Sequence, residues 1–506
     1  MISAFASTWK VPELRERILF TLAMIVIIRL GVHVTLPGVD ASVIAEYLAD
    51  KQKTGGDSGP GAAVGAMLGF FSGGGLQKMG VFALGIMPYI SASIMMQLMT
   101  AVVPKLSKLA REDGGREKIN SYTRYITIVI ALVQGYLLAI SLKNPGNIPG
   151  LSGIEKFGDV VPGHGALFIS MTVLTIVTGT LLLMWLGDQI TERGLGNGIS
   201  LIITVNIISA LPGALVITWQ TLVTGPNAGP GAAAFLVFLV AFLLFVIAAV
   251  IAITQAQRRI VIQYAKRVMG RKQLGGQTQY LPLKVNYAGV MPIIFATAIL
   301  SLPTFVLQSA FPTAQWSRNI QDALAGGGLT YYLVAGVMIF FFSYFWVATM
   351  FQPSEISENL KKSGGYIPGV RPGKPTADFL DFTMTRLTFA GAIFLTIIFI
   401  LPWVVSQMPV GIIGNSLPFL VTSFFGGTSL LILVGVILDM MRQMETHLLQ
   451  RHYDGFLRKG KIKGRYDKLQ NTGERASKGT LVYLWVFIAI VVIVAMSYWM
   501  LHGKIT

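Results

Sequence analysis

Four apolar segments of the sequence place isoleucine shortly after a glycine or proline that interrupts a helix. They are GIMPYISAS at 85–93, GNGISLII at 196–203, GVMPIIFA at 289–296 and GGTSLLIL at 426–433. Ile86 and Ile90, like Ile199 and Ile203, are four residues apart, so each pair shares one face of a helix. A single isoleucine ordinarily faces lipid, but the repeated association with helix breaks favours a hydrophobic constriction. Such a constriction would exclude water by dewetting and hinder hydrated ions without binding them.

The long apolar stretches around these segments contain no acidic side chain in their interiors. Proton relays and ion-coupled transporters need ionisable side chains inside the membrane, and ion filters need rings of carbonyls or carboxylates. Arg29 is the one basic residue inside such a stretch, and we expect it to pair with backbone or extend toward water rather than act in gating. His33 and the other histidines lack metal-ligand spacing. The sequence therefore predicts no catalytic residue, no metal site and no cofactor.

The composition explains why these segments lie in a membrane. Of the 506 residues, 53% are hydrophobic and only 12% are charged, with 55 glycines and 22 prolines, and the mean hydropathy is +0.64. These values exclude a water-soluble globule and predict an all-α polytopic membrane protein with broken helices. The chain has no cysteine, which excludes disulfides, thiolate metal sites and cysteine nucleophiles.

Uncharged runs long enough to cross a bilayer core of about 30 Å predict eleven spans. They fall near 17–36, 79–100, 125–142, 166–186, 198–217, 233–254, 287–308, 330–351, 387–405, 417–438 and 480–501. With the N-terminus inside, the inner segments carry 32 Lys and Arg residues and the outer segments carry 7. The positive-inside rule therefore predicts a cytoplasmic N-terminus.

A Gly- and Pro-rich linker divides the predicted spans. An N-terminal half, 1–223, and a C-terminal half, 235–479, flank the linker at 224–234, and an extra transmembrane helix occupies 480–506. Because each half has five spans, the two enter the membrane in opposite directions. This topology permits an inverted repeat around a central pore, an arrangement that places the working site at the interface between the halves.

Residues 62–76, AAVGAMLGFFSGGGL, are apolar although they lie in the first outer loop. A helix of about ten residues reaches roughly half the bilayer, and irregular backbone at that depth must be buried in protein or face a cavity. We therefore predict a re-entrant segment. The alternative, a helix along the outer leaflet, would need a cationic face that this segment lacks.

The sequence closely resembles the SecY family, the central channel subunits of the bacterial Sec protein translocase. The resemblance runs from ELRERILF at 13–20 to GRYDK at 464–468. Its strings include FSGGGLQKMGVFALGIMPYISASIMMQL at 71–98, TGTLLLMWLGDQITERGLGNGIS at 178–200, QRRIVIQYAKR at 257–267, LPLKVNYAGVMPIIFA at 281–296 and NLKKSGGYIPGVRPGKPT at 359–376. The resemblance implies two five-helix halves with an unfolded polypeptide threaded through a waist between them. It also implies that membrane proteins leave sideways into lipid.

The resemblance also implies roles for particular residues. The waist ring would be Ile86, Ile90, Ile199, Ile203, Ile294 and Ile432. The plug that closes the resting pore would include Gly65, Ala66, Met67, Leu68, Gly69, Phe70, Phe71, Ser72 and Gly73. Gln97 and Asn286 would be polar residues of a lateral gate between the second and seventh spans. The basic loops 253–286 and 351–386 would dock partners through Arg258, Arg259, Lys266, Arg267 and Arg371.

The partners that the resemblance implies are the SecE and SecG subunits, the motor ATPase SecA, the ribosome with its nascent chain, signal sequences and membrane lipid. Contact with ribosomal RNA would run through the basic loops. The expected location is the bacterial cytoplasmic (inner) membrane. The family pattern has ten spans, so the predicted eleventh departs from it, as either a lineage-specific helix or part of a partner joined to the chain.

Three other functional classes compete with a protein-conducting channel. An ion-coupled solute transporter of inverted-repeat build is disfavoured by the absence of buried acids, and a plain ion channel by the apolar waist. A structural scaffold would need neither plug nor ring. Because passage of a polypeptide makes and breaks no bond, we expect no enzymatic activity.

Overall fold

The computed structural model describes most of the chain. The described residues are 11–53, 69, 72–112, 114–142, 154–161, 165–220, 223, 230–264, 267–269, 272–274, 278–310, 314–324, 328–407 and 427–458. The predicted eleventh span, 480–501, lies outside the described residues, as do Gly65–Leu68 and Phe70–Phe71 of the predicted plug.

The first part of the chain is helical. Its elements are α1 Pro12–His33, α2 Ala41–Lys53, α3 Met87–Val102, α4 Pro104–Arg111, α5 Gly115–Ser141, a 3₁₀ turn at Ile154–Phe157, α6 Ala166–Arg193 and α7 Gly198–Trp219. Proline occupies the first turn of α1, α3 and α4, where its missing N–H costs no hydrogen bond and its fixed φ suits a helix start.

The second part alternates long helices with a small amount of β-structure. Its elements are α8 Pro230–Gln255, β1 Gln257–Tyr264, β2 Arg267–Met269, β3 Lys272–Leu274, β4 Thr278–Lys284, α9 Met291–Ala310, α10 Gln315–Leu324, α11 Leu329–Met350, α12 Pro353–Lys362, β5 Gly365–Tyr366, α13 Lys374–Gln407 and α14 Gly427–Arg458. Helix α8 begins at Pro230, inside the stretch expected to be linker.

The prediction of a helical membrane protein is confirmed. Six described helical segments, which contain α5, α6, α7, α8, α11 and α13, are long and apolar enough to cross a membrane. They match the third to sixth, eighth and ninth predicted spans. The second predicted span contains α3, which forms with the following α4 a pair bent by 104° at its break. The seventh contains the shorter apolar helix Met291–Ser301. Helices α1 and α14, of 22 and 32 residues, occupy the first and tenth predicted spans.

Helix α3 begins at Met87, later than the predicted start of the span at residue 79. Residues 79–86 form turns instead, because their backbone pairs with the end of α1. Leu36 N–H donates to Met79 O at 2.9 Å, and Val81 N–H donates to Val34 O at 2.8 Å. These bonds satisfy irregular backbone that would be costly if it faced lipid.

The two loops 253–286 and 351–386 are joined by a three-stranded antiparallel sheet that the sequence analysis did not predict. Its strand order is β4-β1-β5, with Arg258 opposite Leu283 and Gln263 opposite Tyr366. An apolar cluster that includes Ile260, Leu283 and Ile367 from this region and Val347 from α11 lies beneath the sheet. The sheet is therefore fixed to the helical body.

In the described part of the chain, the halves meet mainly along three pairs of helices. Helix α9 packs against α3 and α5, and helix α14 packs against α7. A hydrogen bond from the Gly196 N–H to Oε1 of Gln443, 2.9 Å long, links the loop before α7 to α14. The interface between the halves is thus built from the helices that carry the isoleucine segments.

Helices α6 and α7 approach so closely that a side chain would not fit between them. A Cβ atom added at Gly198 would overlap the carbonyl oxygen of Gly187 on α6. The start of α7 is further fixed by Asn197, whose Oδ1 accepts from the N–H groups of Ile199 at 3.1 Å and Ser200 at 3.3 Å. An Asn at this position satisfies N–H groups that have no partner within the helix.

We expect Gly198→Ala to lower the free energy of unfolding by about 1–3 kcal/mol, because its methyl group would force α6 and α7 apart. The matched control is Gly213→Ala in the same helix, where a Cβ atom meets no described atom within 4 Å. Thermal unfolding of the purified protein in detergent measures both. Equal melting temperatures for the two variants would contradict the close approach.

Candidate pore constriction

The six isoleucines singled out by the sequence converge on one apolar cluster at the interface between the halves. Ile86, Ile90, Ile203, Ile294 and Ile432 are buried members of this cluster, and Ile199 is partly buried and packs against it. They come from α3, α7, α9 and α14, four helices of two different halves. We call these six residues the isoleucine ring.

Each ring residue lies close to the start of its helix. Ile86 immediately precedes α3, and its carbonyl oxygen accepts from the Ile90 N–H at 3.1 Å. Ile294 lies in the first turn of α9, which begins at Met291, and Ile432 lies near the start of α14 at Gly427. The helix starts at Met87, Gly198 and Met291 confirm three of the four helix breaks predicted from glycine and proline. The residues just before α14 lie outside the described part of the chain.

The surroundings of the ring are apolar and partly aromatic. The ring of Phe295 makes edge-to-face contacts with Phe342, with centroids 6.0 Å apart, and with Trp346, at 5.3 Å. The hydroxyl of Thr204, next to Ile203, donates to the carbonyl of Ser200 in its own helix at 2.8 Å. The hydroxyl of Thr204 is thus hydrogen-bonded within α7, so it needs no partner among the apolar side chains of the isoleucine ring.

The described part of the predicted plug lies against α1 and α7. Ser72 and Gly73 are buried or nearly so, and the Gly74 N–H donates to the carbonyl of Gly69 at 3.0 Å. Nη1 of Arg29 on α1 donates to the carbonyl oxygen of Gly73 at 3.2 Å. The expectation that Arg29 pairs with backbone is confirmed.

The two predicted gate residues lie on α3 and in the segment just before α9, without a described bond between them. Nε2 of Gln97 on α3 donates to Oγ of Ser93 in the same helix at 3.2 Å, and its Oε1 is buried without a hydrogen-bond partner among the described residues. Asn286 is 7% exposed and precedes α9. A Cβ atom at Gly391 would lie 3.6 Å from the Asn286 Cα, so α13 packs against the backbone at Asn286.

Three of the predicted docking arginines lie on or just beyond the strands of the sheet. Arg258 and Arg259 are exposed on β1, and Arg371 is exposed beyond β5, which pairs with the same strand. Lys266 and the side chain of Arg267 lie outside the described part of the chain. At the base of the sheet, the pKa of Lys284 lies below its ordinary value, because burial disfavours its charge and Arg442 repels it.

Sequence reasoning missed two contributors to this region. Asn206 of α7 borders Gly73, and Gln443 of α14 binds the loop before α7. Both are polar residues whose partners lie far away in the chain, so spacing gave no signal for either contact. The lone charge of Arg29 inside a span was the one available signal that the plug region has a polar anchor.

Comparisons with known proteins agree with this geometry. A family model described as SecY matches residues 80–441. A protein translocase subunit SecY of Streptomyces scabiei is 41% identical over 464 residues, which cover 90% of this chain and all of that relative.

Two solved structures have the same fold at low sequence identity. One, described as the structure of a protein conducting channel, has a TM-score of 0.55 at 17% identity and covers 85% of this chain and 92% of its own. The other, Sec61 in a canine ribosome-channel complex from the endoplasmic reticulum, has a TM-score of 0.52 at 16% identity, with coverage of 85% and 92%.

Proposed function

The chain belongs to the SecY family, and from this membership we propose that it is a protein-conducting channel. It moves unfolded secretory polypeptides across the cytoplasmic membrane and lets hydrophobic segments pass sideways into lipid. The observation that carries this proposal is the isoleucine ring, drawn from four helices at the interface between the halves.

An apolar ring suits a polymer of variable sequence. A pore that must pass every kind of side chain cannot bind any one of them specifically, because conduction requires release as well as entry. Isoleucine side chains offer neither charge nor hydrogen-bonding groups, so they close around an extended chain without holding it. In the resting state the same side chains pack on one another and exclude water.

The lateral route runs between α3 and α9. These helices belong to different halves and pack on each other, so their separation would open the pore toward lipid. A signal sequence then partitions between pore and bilayer, with about 25 cal/mol gained for each Å² of apolar surface removed from water. We propose that Gln97 and Asn286 lie along this route, where a polar side chain lowers the cost of opening.

The driving force comes from partners rather than from this chain. Its relatives are named as translocase subunits, and we propose that it performs no catalysis of its own. The motor ATPase SecA and the translating ribosome would act on the cytoplasmic face through the sheet and Arg258, Arg259, Lys266, Arg267 and Arg371. A solved relative in complex with a ribosome supports the second partner.

The remaining assignments follow the same family pattern, except for the additional helix at the C-terminal end. SecE and SecG would complete the membrane complex, and the N-terminus would lie in the cytoplasm of a bacterial cell with the chain in its inner membrane. The halves would be 1–223 and 235–479, joined by the linker 224–234. Residues 65–73 would form the plug, and 480–506 an additional membrane helix.

We expect Ile86→Ser combined with Ile294→Ser to raise the resting ion conductance of the reconstituted channel, because hydroxyl groups from both halves would wet the constriction. Planar bilayer recordings without cargo measure the effect. The matched control is Ile190→Ser with Ile202→Ser, two buried isoleucines of the same cluster that are not ring residues. An increase that is equal in both double variants, or absent from both, would refute the ring.

Arg258→Ala combined with Arg371→Ala should weaken ribosome binding, since each arginine offers a charge to RNA phosphates. The slope of log affinity against log salt should become shallower by about one for each arginine–phosphate pair that is removed. Co-sedimentation with ribosomes at several salt concentrations provides the measurement. Lys156→Ala, an exposed lysine of the predicted outer side, serves as control, and an equal weakening there would argue against a docking face on the sheet.

A further inference from the structure

Arg29 carries a positive charge within an apolar helix, where an ionisable side chain needs a partner. The structure gives it one on another element. Nη1 of Arg29 donates to the carbonyl oxygen of Gly73, 44 residues further along the chain, at 3.2 Å. The partner is a backbone carbonyl, so the contact depends on the path of the chain at Gly73 rather than on a side chain there.

Gly73 fits between α1 and α7 without room for a side chain. Its φ is +63°, a conformation that favours glycine. A Cβ atom at this position would overlap Oδ1 of Asn206 on α7 and would lie 2.9 Å from Nη1 of Arg29. Arg29 and Asn206 therefore enclose Gly73 from two sides, and we call these two side chains the cradle.

The cradle lies next to the isoleucine ring. Asn206 follows Ile203 by three residues, so the two share a face of α7 and are separated by about 4.5 Å along the helix axis. On α1, Ile28 lies one residue before Arg29 and Val32 lies three residues after it. Both are buried in the same apolar cluster as the isoleucine ring. Gly73 is thus held about one helical turn from the ring, toward the C-terminal end of α7.

The backbone around Gly73 is tied together by local hydrogen bonds. The Gly75 N–H donates to the carbonyl of Ser72 at 3.1 Å, and the Leu76 N–H donates to Oγ of Ser72 at 3.3 Å. These bonds close a tight turn over residues 72–76. A force that fixes Gly73 therefore fixes the whole turn beside the pore axis.

We propose that Arg29 is a positioning residue that holds the turn 72–76 against α7 in the resting channel. This inference rests on the proposed function and adds the contact that sets the resting position. The hydrogen bond is charge-assisted, so its removal shifts the equilibrium substantially toward the displaced turn.

The test uses the absence of cysteine from the chain. Ser72→Cys introduces a single thiol at a buried position, and its rate of labelling by a membrane-impermeant maleimide in nanodiscs, without cargo, reports displacement of the turn. We expect Arg29→Met to raise this rate about tenfold or more. A rate unchanged from that of the parent would overturn the proposal.

Lys78→Met is the matched control, because it also removes a cation near the turn. Nζ of Lys78 lies 3.3 Å from the ring nitrogens of His33, and its pKa lies below the ordinary value because of burial and repulsion by Arg29. If removal of charge alone loosens the turn, both variants label equally fast, and this result would also overturn the role of the hydrogen bond.

A folding check keeps the result interpretable. Thr127→Cys places a thiol at a fully buried position on α5 and should stay protected in the Arg29→Met background. If the thiol at position 127 becomes labelled, Gly73→Ala replaces Arg29→Met in the test. The added methyl group would displace the turn by its overlap with Asn206 and Arg29.

The labelling assay and the proposed function can fail separately. Conductance of the isoleucine variants tests the ring, whereas Ser72 labelling without cargo tests the contact of Arg29. Suppose that the thiol introduced at position 72 stays protected in the Arg29→Met variant while the double isoleucine variant leaks ions. This result would refute the positioning role of Arg29 and leave the proposed channel function standing.

Discussion

Apolar contact between the starts of four helices is the interaction on which the rest of the architecture depends. The halves meet where α3, α7, α9 and α14 bring isoleucines into one cluster. No charge or hydrogen bond is needed to hold such a contact, and none of the six side chains can form one. A seal of this kind is tight when closed and yet leaves no unsatisfied polar group when it opens, which is the requirement for a gate inside a membrane.

Several threonine hydroxyls of the long helices are hydrogen-bonded within their own helix. The hydroxyls of Thr127, Thr180 and Thr297 each donate to a carbonyl one turn earlier in their own helix. Such bonds are retained when helices separate, so opening costs mainly dispersion energy and water exposure. The bond between Gly196 and Gln443 joins the loop before α7 to α14 and so links the two halves.

Much of this arrangement could be predicted from the sequence, because hydropathy, charge asymmetry and helix breaks are local signals. The order of spans, the breaks before Met87 and Gly198 and the pairing of Arg29 with backbone all followed from such signals. The sheet between the loops 253–286 and 351–386 did not, since the pairing of Gln263 with Tyr366 joins segments about a hundred residues apart. The cradle of Asn206 around Gly73 was equally invisible, because it depends on packing rather than on spacing.

The most direct measurement is crosslinking of a stalled secretory chain to single cysteines introduced into the cysteine-free protein in membranes. Positions 86 and 294 represent the isoleucine ring, one from each half. Positions 174 and 337 represent the lipid-facing perimeter, because Leu174 is 70% exposed and Val337 is 71% exposed. We expect crosslinks from the secretory chain to 86 and 294 and none to 174 or 337. Crosslinks confined to the perimeter would contradict passage of the polypeptide through the isoleucine ring.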